Sequence, residues 1–382
     1  MRTLGDFGIL VTVLGAGLAL AACGSSAAQA TEQVHATAAS ATSRATTAGP
    51  ALTRPASYGN PSGHAPVPAA AGAVSTASPT TVIGTGSPAS CTSAAVVRAV
   101  AKGGVITFSC GPNPVTITMT ATAKVVNTHR RTVIDGGGKV TLSGGGKIRI
   151  LYMNTCDPKQ VYTTSDCWQQ KWPQLVVQNL TFRNAYSAVR QTKTSDYGGG
   201  AIFAEGGQLK VVNTGFFSNR CYKYGPDLGG AAIRALGMYA HRPVYITKDT
   251  FRGGRCSNGG ALSSIDASWN VLDSLMVNNK TTGRGENPQA KGTPGGGSGG
   301  AIYTDGDSYN VTINGSAIRF NTAAGGEGGA VFFVVDSGHG VLTIEHSTLH
   351  HNPAGGYDNA PGIFDDVDQK VTYPTVIDSK IN

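Results

Sequence analysis

Outside its N-terminus the chain has no apolar run of the roughly 18 residues that a membrane-spanning helix needs. Charge is scarce, at 14% of 382 residues, and there are only 3 Trp and 5 Met. No cysteine pair has CxxC spacing and the histidines do not gather near the cysteines, so a zinc site is not expected. No helix-length amphipathic run separates the apolar segments, which argues against βαβ folds. What is abundant is glycine, 53 residues, about twice ordinary usage. Glycine weakens helix interiors, so long helices and coiled coils are excluded. The glycines have no G-X-Y period, which excludes collagen.

The first 22 residues read as an address. Arg2 precedes an apolar stretch from Ile9 to Leu20, the h-region of an export signal. A single arginine before it does not support a twin-arginine route. The stretch ends in Leu20-Ala21-Ala22-Cys23-Gly24, which looks like a bacterial lipobox. Cys23 would carry the lipid and hold an exported protein on the outer face of the membrane. Of the 67 residues from 24 to 90, 52 are Ala, Gly, Ser, Thr or Pro. Such a composition buries too little apolar surface to offset chain entropy. Residues 23–90 therefore read as the lipidated cysteine plus a disordered tether, and 91–382 as the folded domain.

That domain repeats. A Gly-Gly-Ala-apolar block begins at Gly199, Gly229, Gly259, Gly299 and Gly328, at intervals of 30, 30, 40 and 29. The long interval holds a Gly-rich insert, Gly283–Ser298. A second block, apolar-x-x-Asn, ends at Asn219, Asn279, Asn321 and Asn352, with Gly254 standing where one Asn is expected. Between the blocks lie β-branched runs such as Val244-Tyr245-Ile246-Thr247 and Asn310-Val311-Thr312-Ile313, which read as short strands. A period of this length, with strands and turns but no helix, predicts an all-β solenoid. The turn asparagines tolerate αL backbone and are expected to stack as a ladder. At the front, Val96, Val97, Val100 and Ala101 recur at helical spacing, so a short helix caps the open end. Six cysteines remain after Cys23, an even number that suggests three disulfides among 15 connectivities. Nearest neighbours are the simplest pairing: Cys91–Cys110, Cys156–Cys167 and Cys221–Cys256.

The paired blocks resemble the repeat of polymorphic outer-membrane proteins. With Ile134-Asp135-Gly136-Gly137-Gly138 and the front cysteines, they are similar to the right-handed parallel β-helix of the pectate-lyase-like superfamily. The resemblance implies a ligand among polysaccharides, mostly acidic ones, and either a lyase using an Arg or Lys base with Ca²⁺ or a hydrolase using paired Asp. Residues five to seven past the second glycine of a block, Asp266, Asp305 and Asp336, with Arg234 one coil earlier, are the catalytic candidates. They also read as turn residues, Asp305-Gly306 being common turn chemistry. Thr304-Asp305-Gly306 and Gly338-His339-Gly340 echo hydrolase motifs, but Gly325-Gly326-Glu327-Gly328 stands where an Asp pair belongs. Trp168 and Trp172, beside the Cys156–Cys167 excursion, suit sugar stacking or cover the solenoid's side. The domain holds 27 basic and 20 acidic residues, net +7, spread over Lys124, Arg130, Arg131, Lys147, Arg149, Arg190 and Lys193 without a block. Such a face favours an anionic glycan, while export and the lack of a binding module disfavour nucleic acid. The expected form is a monomeric surface lipoprotein that binds, and as an enzyme would cleave, acidic polysaccharide. A non-catalytic adhesin or wall-associated structural protein is the alternative.

Overall fold

In the computed structural model the described residues are 57–187, 198–286 and 289–382; Cys23, Arg190 and Lys193 lie outside them. The architecture is all-β, with one α-helix among the described residues, and its strands form three sheets that are almost wholly parallel. The chain visits the sheets in a constant order. From Gly199 onward one period places a strand in sheet II (Ile202–Glu205), two in sheet I (Gln208–Val212, Gly215–Phe217) and a short one in sheet III (Arg220–Cys221). The next period repeats this with Ile233–Leu236, Val244–Thr247, Thr250–Arg252 and Arg255–Cys256. Each strand pairs in parallel with its counterpart one period on, so Ile202, Ile233, Leu262, Ile302, Val331 and Ile363 form one continuous rung. The register survives the 40-residue period, because the extra chain leaves after Lys280–Thr281 and returns before Ile302.

The interior is filled by like residues stacked on like. Phe182, Phe216 and Phe251 stack at centroid separations of 5.1 and 4.7 Å, and Met276, Ile318 and Leu349 continue the column. The asparagine block becomes a buried ladder. Asn279 donates to Asn321 Oδ1 at 2.9 Å, and Asn321 to Asn352 Oδ1 at 2.9 Å. At the exceptional Gly254 the backbone N–H still donates to Asn279 Oδ1 at 2.9 Å, though the glycine offers no side chain to Asn219. Before Asn219, Gly254, Asn279, Asn321 and Asn352 sit Ser218, Gly253, Asn278, Phe320 and His351, all with positive φ, and Asn184 holds the same place before Ala185. A second ladder, not read from the sequence, runs through Thr214, Asp249, Ser274, Ser316, Ser347 and Ser379, each following a positive-φ residue. Its links are backbone N–H to side-chain oxygen, as in Ser274 to Ser316 Oγ at 3.0 Å and Ser316 to Ser347 Oγ at 3.0 Å.

The front follows expectation in outline. The helix spans Ser93–Lys102, is capped by the Thr92 hydroxyl, buries Val96, Ala99 and Val100, and stops at Gly103 with φ 71°. The three disulfides join Cys91–Cys110, Cys156–Cys167 and Cys221–Cys256, the nearest-neighbour pairing. Residues 57–90, which the composition reads as tether, pack with the domain. Residues 57–80 run as a strap along the outside of sheet I, and Thr81–Ile83 pairs with Gly104–Phe108 as a rung of that sheet. The strap holds by hydrogen bonds more than by apolar burial. Asn60 N–H reaches Asp273 O at 2.7 Å, Ala65 N–H reaches Asp273 Oδ1 at 2.8 Å, and Val74 N–H reaches Gln178 Oε1 at 2.9 Å. Small side chains let the strap lie close to the sheet, which is why a spacer-like composition packs.

Candidate functional site

The acidic candidates meet at the corner where sheet II turns into sheet I, though not on one rung. Asp305 is level with Ile265, and Asp266 lies one residue beyond it, at φ 52°. Backbone bonds knit the corner: Asp266 N–H to Asp305 O at 3.0 Å, and Asp336 N–H to Gly306 O at 2.8 Å. Burial pushes the Asp305 carboxyl up, the Tyr303 hydroxyl at 2.8 Å pulls it down, and Asp336 pushes it up again. Asp336 is raised by partial burial and then by Asp307, Asp266 and Asp366. Among the described residues no group of three or more His, Cys, Asp or Glu side chains converges as a metal cage. These carboxylates therefore do not fit the Ca²⁺ that the lyase resemblance implies.

Arg234 does not join them at the surface. Only 3% of it is exposed. Its guanidinium donates to Ser263 Oγ at 2.8 Å and Asp227 O at 2.6 Å, inside the rung Phe203–Arg234–Ser263–Tyr303. It braces the loop that carries Asp227 and does not face a polymer. Trp168 covers the side of sheet II: its ring lies against Gly237, and its Nε1 donates to Glu205 Oε1 at 2.8 Å. Trp172 is 38% exposed, with the Arg130 guanidinium 5.6 Å from its ring.

The feature that sequence spacing hid is a row of cations. Arg220, Arg255 and Lys280 are register partners in sheet III, one per period, and all three are exposed. Beside them, on the outer strands of sheet I, the register aligns Arg183, Phe217, Arg252, Val277, Arg319 and His350. Between the two rows run the positive-φ turn residues. The sheet III cations and these turn residues line a groove of ≈ 470 Å³ that includes Asn184, Ser218, Asn278 and Phe320. It adjoins a ≈ 500 Å³ depression walled by Arg255, Lys280, Thr282 and Arg284. Neighbouring strands are about 4.8 Å apart, and unit charges at that spacing repel by about 1 kcal/mol even at water's permittivity. None of the three sheet III cations is in an ion pair among the described residues. Arg220 lies over the Tyr186 ring at 5.6 Å.

Phe320 marks the same groove for a second reason. Its counterparts in other periods are Asn, Ser, Gly and His, residues that suit a left-handed turn, whereas Phe320 holds φ 57° with a bulky ring that is 47% exposed. Left-handed backbone is unfavourable for a bulky residue, and such strain gathers at functional sites. The ring stands over the end of the cation row, flanked by His350 and His351 at centroid distances of 5.2 and 5.4 Å. Glu327, outside the groove lining, is pushed up to about 7 by burial and by Glu286 and Asp358. Comparison of the chain with family models, with curated proteins and with solved structures finds no match in any of the three.

Proposed function

We propose that this is an exported, lipid-anchored right-handed parallel β-helix that binds acidic polysaccharide along the row Arg220–Arg255–Lys280. The handedness rests on the parallel strand–crossover–strand connections, which are right-handed in nearly all proteins. The export and the anchor at Cys23 rest on the leader residues. The single observation that carries the binding reading is the register of the three cations, one per coil. A polymer bearing one carboxylate per sugar meets such a row charge for charge, and Phe320 offers an apolar face for a pyranose. The reading is a binding surface, close to the adhesin alternative. The base the lyase resemblance would assign, Arg234, is enclosed.

The test is calorimetric titration of the full chain in detergent with polygalacturonate at low and physiological salt. Affinity should fall as salt screens the exposed cations. The double variant Arg255→Ser/Lys280→Ser should bind at least tenfold more weakly at an unchanged melting temperature, since each lost charged contact is worth about 1.5 kcal/mol or more. Equal affinity in the variant would refute the assignment. Newly released chain ends in the same mixture would turn the surface into an active site.

A further inference from the structure

A second cationic site lies away from this groove, beneath the strap. Lys210 on sheet I is only 5% exposed, yet its ammonium donates to a neutral group, the Gly72 carbonyl of the strap, at 2.7 Å. Among the described residues it has no acidic partner within ion-pair distance. The charge that acts on it is a like one, Arg131. Burial, and then that guanidinium, hold the Lys210 pKa below its ordinary value. Burying a cation without a counter-charge is costly, and a second cation beside it adds to the cost.

The space these groups surround is built. It is a cavity of ≈ 360 Å³ between the strap and sheet I, with Arg131, Lys210, Arg242, Gln174, Gln208 and Tyr245 on the sheet side. The strap side is apolar, from Ala69 to Val74. The two arginines are aimed by glutamines: Arg131 Nε donates to Gln174 Oε1 at 2.9 Å, and Arg242 Nη1 to Gln208 Oε1 at 3.5 Å. Gln208 is itself tied to Lys171 O at 2.7 Å. Three cations thus converge on a pocket that has one apolar wall and a volume at the small end of ligand sites.

We infer that the cavity under the strap binds a small organic carboxylate of about monosaccharide size, held by Lys210, Arg131 and Arg242 against the apolar strap. Planar guanidinium groups match a carboxylate's two oxygens, and Lys210 would gain the counter-charge it lacks. This inference does not depend on the polymer groove.

Titration calorimetry of the full chain with glucuronate tests it, with glucose and sulfate at equal ionic strength as controls. The expected result is saturable one-to-one binding of glucuronate, none of glucose and weaker binding of sulfate. Lys210→Met and Arg242→Ala should each weaken it at least tenfold, and Arg255→Ser/Lys280→Ser should leave it unchanged. Absence of binding, equal affinity in Arg242→Ala, equal affinity for sulfate, or loss in the Arg255/Lys280 variant would each overturn the assignment. Should Lys210→Met fail to fold, Arg242→Ala and Gln208→Ala, at the cavity's rim, carry the test.

Discussion

Phe320 shows how one residue separates stability from function. A left-handed backbone costs an ordinary L-residue about 1–2 kcal/mol, and asparagine much less. Asn278 already occupies the same position one coil earlier, at φ 56°. Phe320→Asn should therefore hold or raise the melting temperature, by about a degree or two, while polygalacturonate affinity drops several-fold. Scanning calorimetry beside the binding titration reads both, and a lower melting temperature would show that the ring serves packing. The residue was silent in the sequence because its conformation, and not its type, sets it apart.

At the scale of the element, the ladders hold the coils in step. Asn321 is fully buried: its amide donates to Asn352 Oδ1 at 2.9 Å and Met276 O at 3.1 Å, and its carbonyl accepts from the N–H and the amide of Asn279, both at 2.9 Å. Asn321→Ala strips several buried partners at once, at about 1 kcal/mol or more each. The expected loss is about 3 kcal/mol in denaturant unfolding, and a loss under 1 kcal/mol would mean that the ladder is incidental. The asparagine ladder was legible because one residue type recurs at one spacing. The Thr214–Asp249–Ser274–Ser316–Ser347–Ser379 ladder was not, because it mixes three residue types. The cation row was hidden by arithmetic: Arg220 to Arg255 is 35 residues and Arg255 to Lys280 is 25, and only the folded register makes them neighbours. Asp266 is six residues past Gly260 and Asp305 five past Gly300, so only a tolerance of one residue set them level, and the sheet pairs Ile265 with Asp305 instead. The strap escaped notice because its hold is backbone hydrogen bonding, which composition does not record.

At the scale of the whole molecule, carboxyl burial sets the response to pH. Asp249, Asp305, Glu327, Asp336, Asp358 and Asp365 all titrate higher than usual, in each case first because of burial. Among the described residues Asp157 and Asp368 are shifted down. A carboxyl raised on folding binds more protons folded than unfolded, so its unfavourable contribution is present at high pH and is relieved as pH falls through its folded value. With Glu327 at about 7, that relief begins near neutrality. The domain should therefore be more stable at pH 5 than at pH 8 by chemical denaturation. Asp249→Ser, which gives that rung the hydroxyl found at Ser274, should shrink the difference. A wild type that gains stability toward pH 8 would contradict this account.

The 40-residue period has a practical reading. Its additional chain, between Thr281 and Ser298, alters neither the rung from Leu262 to Ile302 nor the asparagine link from Asn279 to Asn321. The base of the insert is tied to the frame, Gly225 N–H to Gly295 O at 3.3 Å and Gly297 N–H to Asn258 Oδ1 at 2.8 Å, while residues 289–292 stand exposed. The insert is a socket: foreign segments of different length could be spliced there and displayed beside Arg284, at the margin of the cationic surface, while the rungs above and below keep their places.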